Sequence, residues 1–185
     1  MKTIVVASLL FVVSNLCMSQ ESAPFPPPPP GISSVATIVT EDEPGNRLVI
    51  EGKVYHSDKT TPYSGLVLYF YQTDATGVYN KTDGSYLRPR LYGWVKTDKD
   101  GAYELRTIKP GSYPRSRQTA HIHVTVKSPG TSARWLDSYL FEGDPNLSES
   151  EIRQIQTERR FSPVVKLSQG KSGELHAVRD IVISR

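Results

Sequence analysis

A single cysteine among 185 residues, Cys17, leaves no pair for an intramolecular disulfide, so whatever holds the fold is packing rather than cross-linking. Charge of one sign is also scarce. The 22 Lys and Arg stand against 19 Asp and Glu for a formal charge of +3, too mild a balance to argue for nucleic acid or an anionic membrane as partner. No apolar run is long enough to cross a bilayer, and the run Ile4 to Val13 falls well short. There is no internal repeat, which excludes solenoids and propellers.

What is present begins with a leader. Met1-Lys2, the apolar run Ile4 to Val13 and small residues ending near Ser19-Gln20 have the order of a secretory signal peptide over residues 1–19. The expected localisation is therefore secreted or periplasmic. Lipid attachment at Cys17 is the alternative, and Leu16 before it is bulky where a lipidation site wants a small residue. Loss of residues 1–19 removes Lys2 and no acid, taking the formal charge to +2, and removes the only cysteine. Residues 20–34 hold Pro24 and the unbroken run Pro26 to Pro30. That composition favours an extended polyproline conformation and reads as a spacer that buries little.

Residues 35–185 read as one all-β domain with a single short helix. Val35 to Thr40, Arg47 to Tyr55, Gly65 to Gln72, Gly93 to Thr97, Tyr103 to Ile108, a stretch around Tyr139, Val164 to Leu167 and Leu175 to Ile183 carry strand patterning between turn residues. Asp98-Lys99-Asp100-Gly101 has hairpin chemistry, with Gly101 supplying positive φ. Ser148 and Glu151 form a capping box ahead of the apolar stripe Ile152 and Ile155. Many short strands around one core predict a β-sandwich.

Gly111 to Lys127 carries the chemistry. In a strand His121, His123, Thr125 and Lys127 share one face, while Ile122, Val124 and Val126 share the other. The apolar face reads as core, and the opposite face holds two imidazoles spaced to share one metal ion, zinc or copper among the options; the simpler alternative is a pair of half-exposed sheet residues. His56 and His176 are candidates to complete a three-histidine zinc site. Tyr79 and Tyr113, each on a turn, offer phenolate oxygens, hard donors suited to ferric iron.

Taken together, Tyr71-Gln72-Thr73-Asp74-Ala75-Thr76-Gly77-Val78-Tyr79, Gly93-Trp94-Val95-Lys96-Thr97-Asp98, Gly101-Ala102-Tyr103, Arg106-Thr107-Ile108-Lys109-Pro110-Gly111-Ser112-Tyr113-Pro114 and Ala120-His121-Ile122-His123 resemble the intradiol ring-cleavage dioxygenases, the group of the catechol and protocatechuate dioxygenases. The resemblance spans roughly residues 45 to 145 in the same order. It implies a β-sandwich catalytic domain with one non-haem Fe(III) ion per chain, held by Tyr79, Tyr113, His121 and His123. The implied substrates are a small aromatic diol and O2, and the implied product is a muconate-type diacid from cleavage between the two hydroxyl-bearing carbons. Tyr113 matches the more labile tyrosinate of the family, displaced by the diol and able to accept a diol proton. A secreted, non-catalytic iron- or catecholate-binding sandwich is the alternative.

Three places differ from the family pattern. The family's arginine three residues before the first histidine is replaced by Gln118, so Arg117, one residue earlier, is the candidate to stabilise charge on the ring. Ser138 stands where the family has a glutamine. Tyr86, Arg88 and Arg90 follow Tyr79 and are candidates to line the mouth of the site. No long helical pattern precedes Val35, so the helical pairing segment of the cytosolic catechol dioxygenases is not expected.

Overall fold

The computed structural model describes residues 23–79, 89–155 and 159–184. The expected leader with Cys17, and Tyr86 and Arg88, lie outside the described residues. No helix among the described residues is long and apolar enough to cross a membrane.

Alternating apolar residues build two sheets that face each other. One sheet runs in the order β1 (Val35–Thr37), β5 (Ala102–Ile108), β2 (Arg47–His56), β10 (Leu175–Val178), β9 (Ser168–Gln169), with β11 (Ile181–Ile183) also paired to β2. The other runs β4 (Leu91–Lys96), β3 (Val67–Gln72), β6 (His121–Lys127), β7 (Arg134–Phe141), β8 (Val164–Val165). Leu48, Ile50 and Leu105 from the first sheet meet Leu68, Phe70, Ile122, Val124 and Tyr139 from the second, all fully buried in one core. Each such side chain contributes roughly 1.5–3 kcal/mol through removal from water. Gln72, also fully buried, is accommodated because its amide donates to the Ile108 carbonyl at 2.9 Å and accepts from Thr107 Oγ1 at 2.9 Å, bridging the two sheets.

Helix α1 (Glu149–Ile155) starts at the expected capping box. The Ser148 amide donates to Glu151 Oε2 at 2.8 Å, and the Glu151 amide donates to Ser148 Oγ at 3.2 Å. None of its residues is fully buried, so it rides on the sandwich rather than building its core.

The Asp98–Gly101 turn forms as its residues dictate. Gly101 has φ +73, and Asp98 Oδ1 accepts from the amides of Asp100 and Ala102. The strands it joins nevertheless belong to different sheets, so it turns a corner of the sandwich and does not close a hairpin. Turn chemistry sets the reversal of the chain; the partners are set by which faces must be buried. The expected strands at the end of the chain are also interrupted. Val164–Val165 and Ser168–Gln169 are separate, and β10 and β11 are split at Arg179 and Asp180 while keeping one register along β2, Leu175 opposite Leu48 and Ile181 opposite Val54. At the split the Arg179 carbonyl accepts from Tyr103 Oη at 2.6 Å, and Asp180 Oδ1 accepts from the Lys53 amide at 2.8 Å, so side chains replace ladder bonds.

The proline-rich stretch meets the sheet more closely than composition suggests. Ala23 is buried, the Pro24 carbonyl accepts from Thr125 Oγ1 at 2.8 Å, the Phe25 ring packs edge-on against Tyr69, and the Pro26 carbonyl accepts from Trp94 Nε1 at 3.0 Å. Pro27 to Pro30 are exposed. Residues 23–26 thereby cover part of the outer face of the β4-β3-β6 sheet, which is why Thr125, on the histidine side of β6, is fully buried.

Candidate metal centre

The outer face of β6 carries His121 and His123 as strand alternation requires, with Ile122 and Val124 in the core behind them. Tyr79 and Tyr113 arrive on two turns locked back to back. Asp74 Oδ1 accepts from the amides of Thr76 and Val78 and from Thr76 Oγ1, which shapes the turn leading to Tyr79. The Gly111 amide donates to the Asp74 carbonyl at 2.9 Å, and Thr73 Oγ1 donates to the Gly111 carbonyl at 2.9 Å. Gly77, at φ +82, lies so near Ser112 that a Cβ there would sit 1.9 Å from the Ser112 carbonyl oxygen. Only glycine permits both the conformation and the approach, and that approach brings Tyr79 to Tyr113.

Four donor atoms follow one another at short range. Tyr79 Oη and Tyr113 Oη share a hydrogen bond of 2.7 Å, Tyr113 Oη is 3.4 Å from His121 Nε2, and His121 Nε2 is 3.0 Å from His123 Nε2. His121 Nδ1 is 2.8 Å from the Thr119 carbonyl, an acceptor only, so a neutral His121 carries its proton on Nδ1 and offers Nε2 as a lone pair. His123 Nδ1 faces Ser138 Oγ at 3.3 Å. With its proton on Nδ1, His123 offers a second lone pair beside the first. Two donors bonded to one ion at about 2 Å lie no more than about 4 Å apart, and each successive separation here meets that limit. Two phenol oxygens and two imidazole nitrogens are a set that a trivalent, hard cation satisfies well. Among the described residues no group of three or more His, Cys, Asp or Glu could hold a metal; half of this set is phenolic.

Without a cation, the surroundings favour neutral forms. Burial raises the Tyr79 phenol, and the hydrogen bond it donates to Tyr113 raises it further; burial likewise raises Tyr71. Burial, and next the charge of His121, push His123 from 6.5 down to about 3. In the ion-free protein His123 therefore stays neutral while the unfolded chain takes up its proton below pH 6.5. Stability contributed by this residue is present above pH 6.5 and falls as pH drops toward 3, by up to about 1.4 kcal/mol per unit. Urea unfolding of ion-free wild-type and His123→Gln proteins at pH 7, 5 and 4 should show the wild type losing stability faster; parallel losses would contradict the assignment.

The remaining sequence candidates fall elsewhere. His56 stacks on Tyr63 with centroids 4.0 Å apart, and His176 pairs with Glu174 at 3.2 Å; neither joins the cluster. Arg117 and Gln118 are exposed, and the Arg117 charge is felt by Glu151 of the helix. Arg90 is committed to Glu43 through its two terminal guanidinium nitrogens. Two aromatic neighbours were not singled out from the sequence as site residues. Tyr71 stacks on His123 with centroids 4.5 Å apart, and Trp135 lies 5.5 Å from His123. Tyr71 was legible, being two residues from the buried Tyr69 on the outward phase of β3.

A β-sandwich with two imidazoles on the outer face of one sheet and two phenols brought to them by neighbouring turns gathers a donor set suited to a single metal ion of mixed oxygen and nitrogen coordination. The chain belongs to the intradiol ring-cleavage dioxygenases: a family model described as Dioxygenase matches residues 30–179. It is 32% identical over 152 residues to the protocatechuate 3,4-dioxygenase beta chain of Burkholderia cepacia, covering 76% of this chain and 64% of that one. It is 30% identical over 166 residues to catechol 1,2-dioxygenase 1 of Acinetobacter lwoffii, covering 80% of this chain and 51% of that one. The chain thus spans about half to two thirds of the length of these curated relatives. Among solved structures, the dioxygenase domain of a dioxygenase carbohydrate-binding protein fusion from Streptomyces sp. SirexAA-E matches with a TM-score of 0.64 at 26% identity, covering 86% of this chain and 93% of that one. An intradiol ring-cleavage dioxygenase from Tetranychus urticae shares the fold, with a TM-score of 0.62 at 22% identity over 88% of this chain and 91% of that one. The family as a whole depends on non-haem Fe(III).

Proposed function

We propose that the chain is an exported, non-haem Fe(III) intradiol dioxygenase that cleaves a catechol-type ring between its two hydroxyl-bearing carbons with O2, giving a muconate-type diacid. The observation that carries the reading is the run of four donor atoms, Tyr79 Oη, Tyr113 Oη, His121 Nε2 and His123 Nε2, at successive separations of 2.7, 3.4 and 3.0 Å. These four residues would hold one ferric ion. Bound there, the ion supplies Lewis acidity toward the diol, lowering its proton affinity and drawing electron density from the ring.

The protein side of the reaction follows from the neighbours of each donor. Thr119 keeps His121 Nε2 free of its proton, and Ser138 is placed to accept the His123 proton from Nδ1. Tyr79 sits in surroundings that disfavour a free phenolate, so its ionised form depends on the cation. Tyr113, which matches the family's more labile tyrosinate, would be the group that gives up its place to the incoming diol and takes a diol proton on Oη. Tyr71 and Trp135 wall the histidine side with aromatic surface. The leader over residues 1–19 supports export, and recovery of a processed protein beginning near Gln20 outside the cytoplasm tests it.

The site reading is tested by the visible spectrum of purified protein loaded with ferric iron, followed by oxygen uptake on a panel of catechols and hydroxyquinols. A reddish tyrosinate-to-iron band with oxygen consumption is expected. A colourless ferric-loaded sample would remove the ligand assignment. Colour without oxygen uptake would favour a non-catalytic iron- or catecholate-binding protein, a reading to which the exposure of Arg117 and Gln118 lends weight.

A further inference from the structure

The strand that borders the histidines contains a bulge whose effect is to turn an indole toward them. β7 pairs with β6 at Tyr139 opposite Ile122 and again at Leu136 opposite Val124, so Asp137 and Ser138 together oppose His123 alone. With regular pairing Trp135 would stand opposite Val126, on the core side. The extra residue places it opposite Thr125, on the histidine side. There it is 46% exposed, with its ring 5.5 Å from His123 and 6.0 Å from Tyr71.

A buried cation holds the bulge. Arg179, 4% exposed, donates from Nη1 to the Asp137 carbonyl at 2.7 Å and lies over the Tyr139 ring at 4.5 Å. Among the described residues it makes no ion pair, and its Nε has no hydrogen-bond partner. Burying a guanidinium without a carboxylate is unfavourable. What the arrangement provides is a donor for the backbone carbonyl in the bulge, and through it a fixed course for the chain from Trp135 to Ser138.

We propose that Trp135 is a specificity-determining residue of the site, stacking on an aryl substituent of the bound diol, and that Arg179 is its positioning residue. The proposal rests on the diol-binding reading above and narrows its substrate class to catechols extended by a second aromatic group. Ring contacts place the indole beside His123 and Tyr71, at the end of a succession that runs from Tyr113 through His121 and His123 to Trp135. A diol held at the donors that extends toward the histidine side therefore meets it.

The test is equilibrium binding of catechol and of 4-phenylcatechol to ferric-loaded protein, followed by the change in the visible band and requiring no turnover. Wild type should prefer 4-phenylcatechol. Trp135→Ala should move the ratio of the two dissociation constants roughly tenfold toward catechol, and Trp135→Phe should restore most of it, as expected for a stacking contact. Arg179→Met should move the ratio in the same direction, and Arg179→Lys less. If Arg179→Met does not fold, Arg179→Gln carries that arm, and an unchanged ratio there removes the positioning role. An unchanged ratio in Trp135→Ala, with both diols bound by wild type, overturns the proposal and leaves the diol site standing. Failure of wild type to bind either diol overturns the diol site itself.

Discussion

Purified His121→Ala protein, loaded with ferric iron and desalted, should retain none of it. His121 Nε2 is the middle of the donor run, 3.4 Å from Tyr113 Oη and 3.0 Å from His123 Nε2, so its removal separates the phenol pair from the remaining imidazole. Loss of a group that merely orients a ligand weakens metal binding roughly 10- to 100-fold, and loss of a ligand at the centre of the set should exceed that. The structural damage should be modest, because the ring faces away from the core and its partner is the Thr119 carbonyl, which water can satisfy in a shortened side chain's place. Iron content by metal analysis, with circular dichroism to establish the fold, separates the two effects. Tyr79→Phe should keep iron and shift or weaken the visible band, since one of two phenolates remains. Full iron occupancy in the alanine variant would contradict the site.

The second large effect is expected at a residue that touches no ligand. Gly77→Ala requires a non-glycine residue at φ +82 and places a Cβ 1.9 Å from the Ser112 carbonyl oxygen. The backbone conformation alone costs about 1–3 kcal/mol, and the collision is with main chain that cannot rotate away. For a domain of this size the melting temperature should fall by roughly 2–4 °C for each kcal/mol. Relief of the clash requires the Tyr79 turn to part from the Tyr113 turn, so the surviving folded protein should also show a weakened tyrosinate band. Gly130→Ala is the matched control: its φ is +74, but nothing lies within 4 Å of the added carbon. It carries the conformational penalty without the collision and should leave the band alone. Equal effects at the two positions would show that turn strain, and not the approach of the two turns, is what Gly77 provides.

Much of this was legible in residue order because the relevant forces are local. The alternation of β6, the capping box of α1 and the reversal of the chain at Asp98–Gly101 depend on neighbours within a few positions, and each forms. The four donors were named from a resemblance resting on blocks far apart in the chain; the structure brings those side chains together. What escaped depends on partners that residue order does not name. The corner at Asp98–Gly101 looks like a hairpin until the sheets claim their strands. The bulge in β7 did leave a trace: Leu136 and Tyr139, both turned to the core, are three apart, an odd spacing that a regular strand cannot accommodate. The cover over Thr125 left none, since nothing in Pro24 or Pro26 shows that its carbonyl will meet β6 or Trp94. Arg117, the replacement proposed for the family arginine, lies exposed, within electrostatic reach of Glu151, because residues 114–118 run over the surface.

The parallel ladder between β2 and the pair β10 and β11 sets an order of events during synthesis. Leu48 must wait for Leu175, and Val54 for Ile181, so the edge of β2 stays unpaired until nearly the last described residue has emerged. A contact so distant along the chain closes slowly, and an open edge is prone to wrong partners while it waits. Under the export proposed above, the same delay would keep the nascent chain unfolded, and fit for translocation, until its final strands arrive.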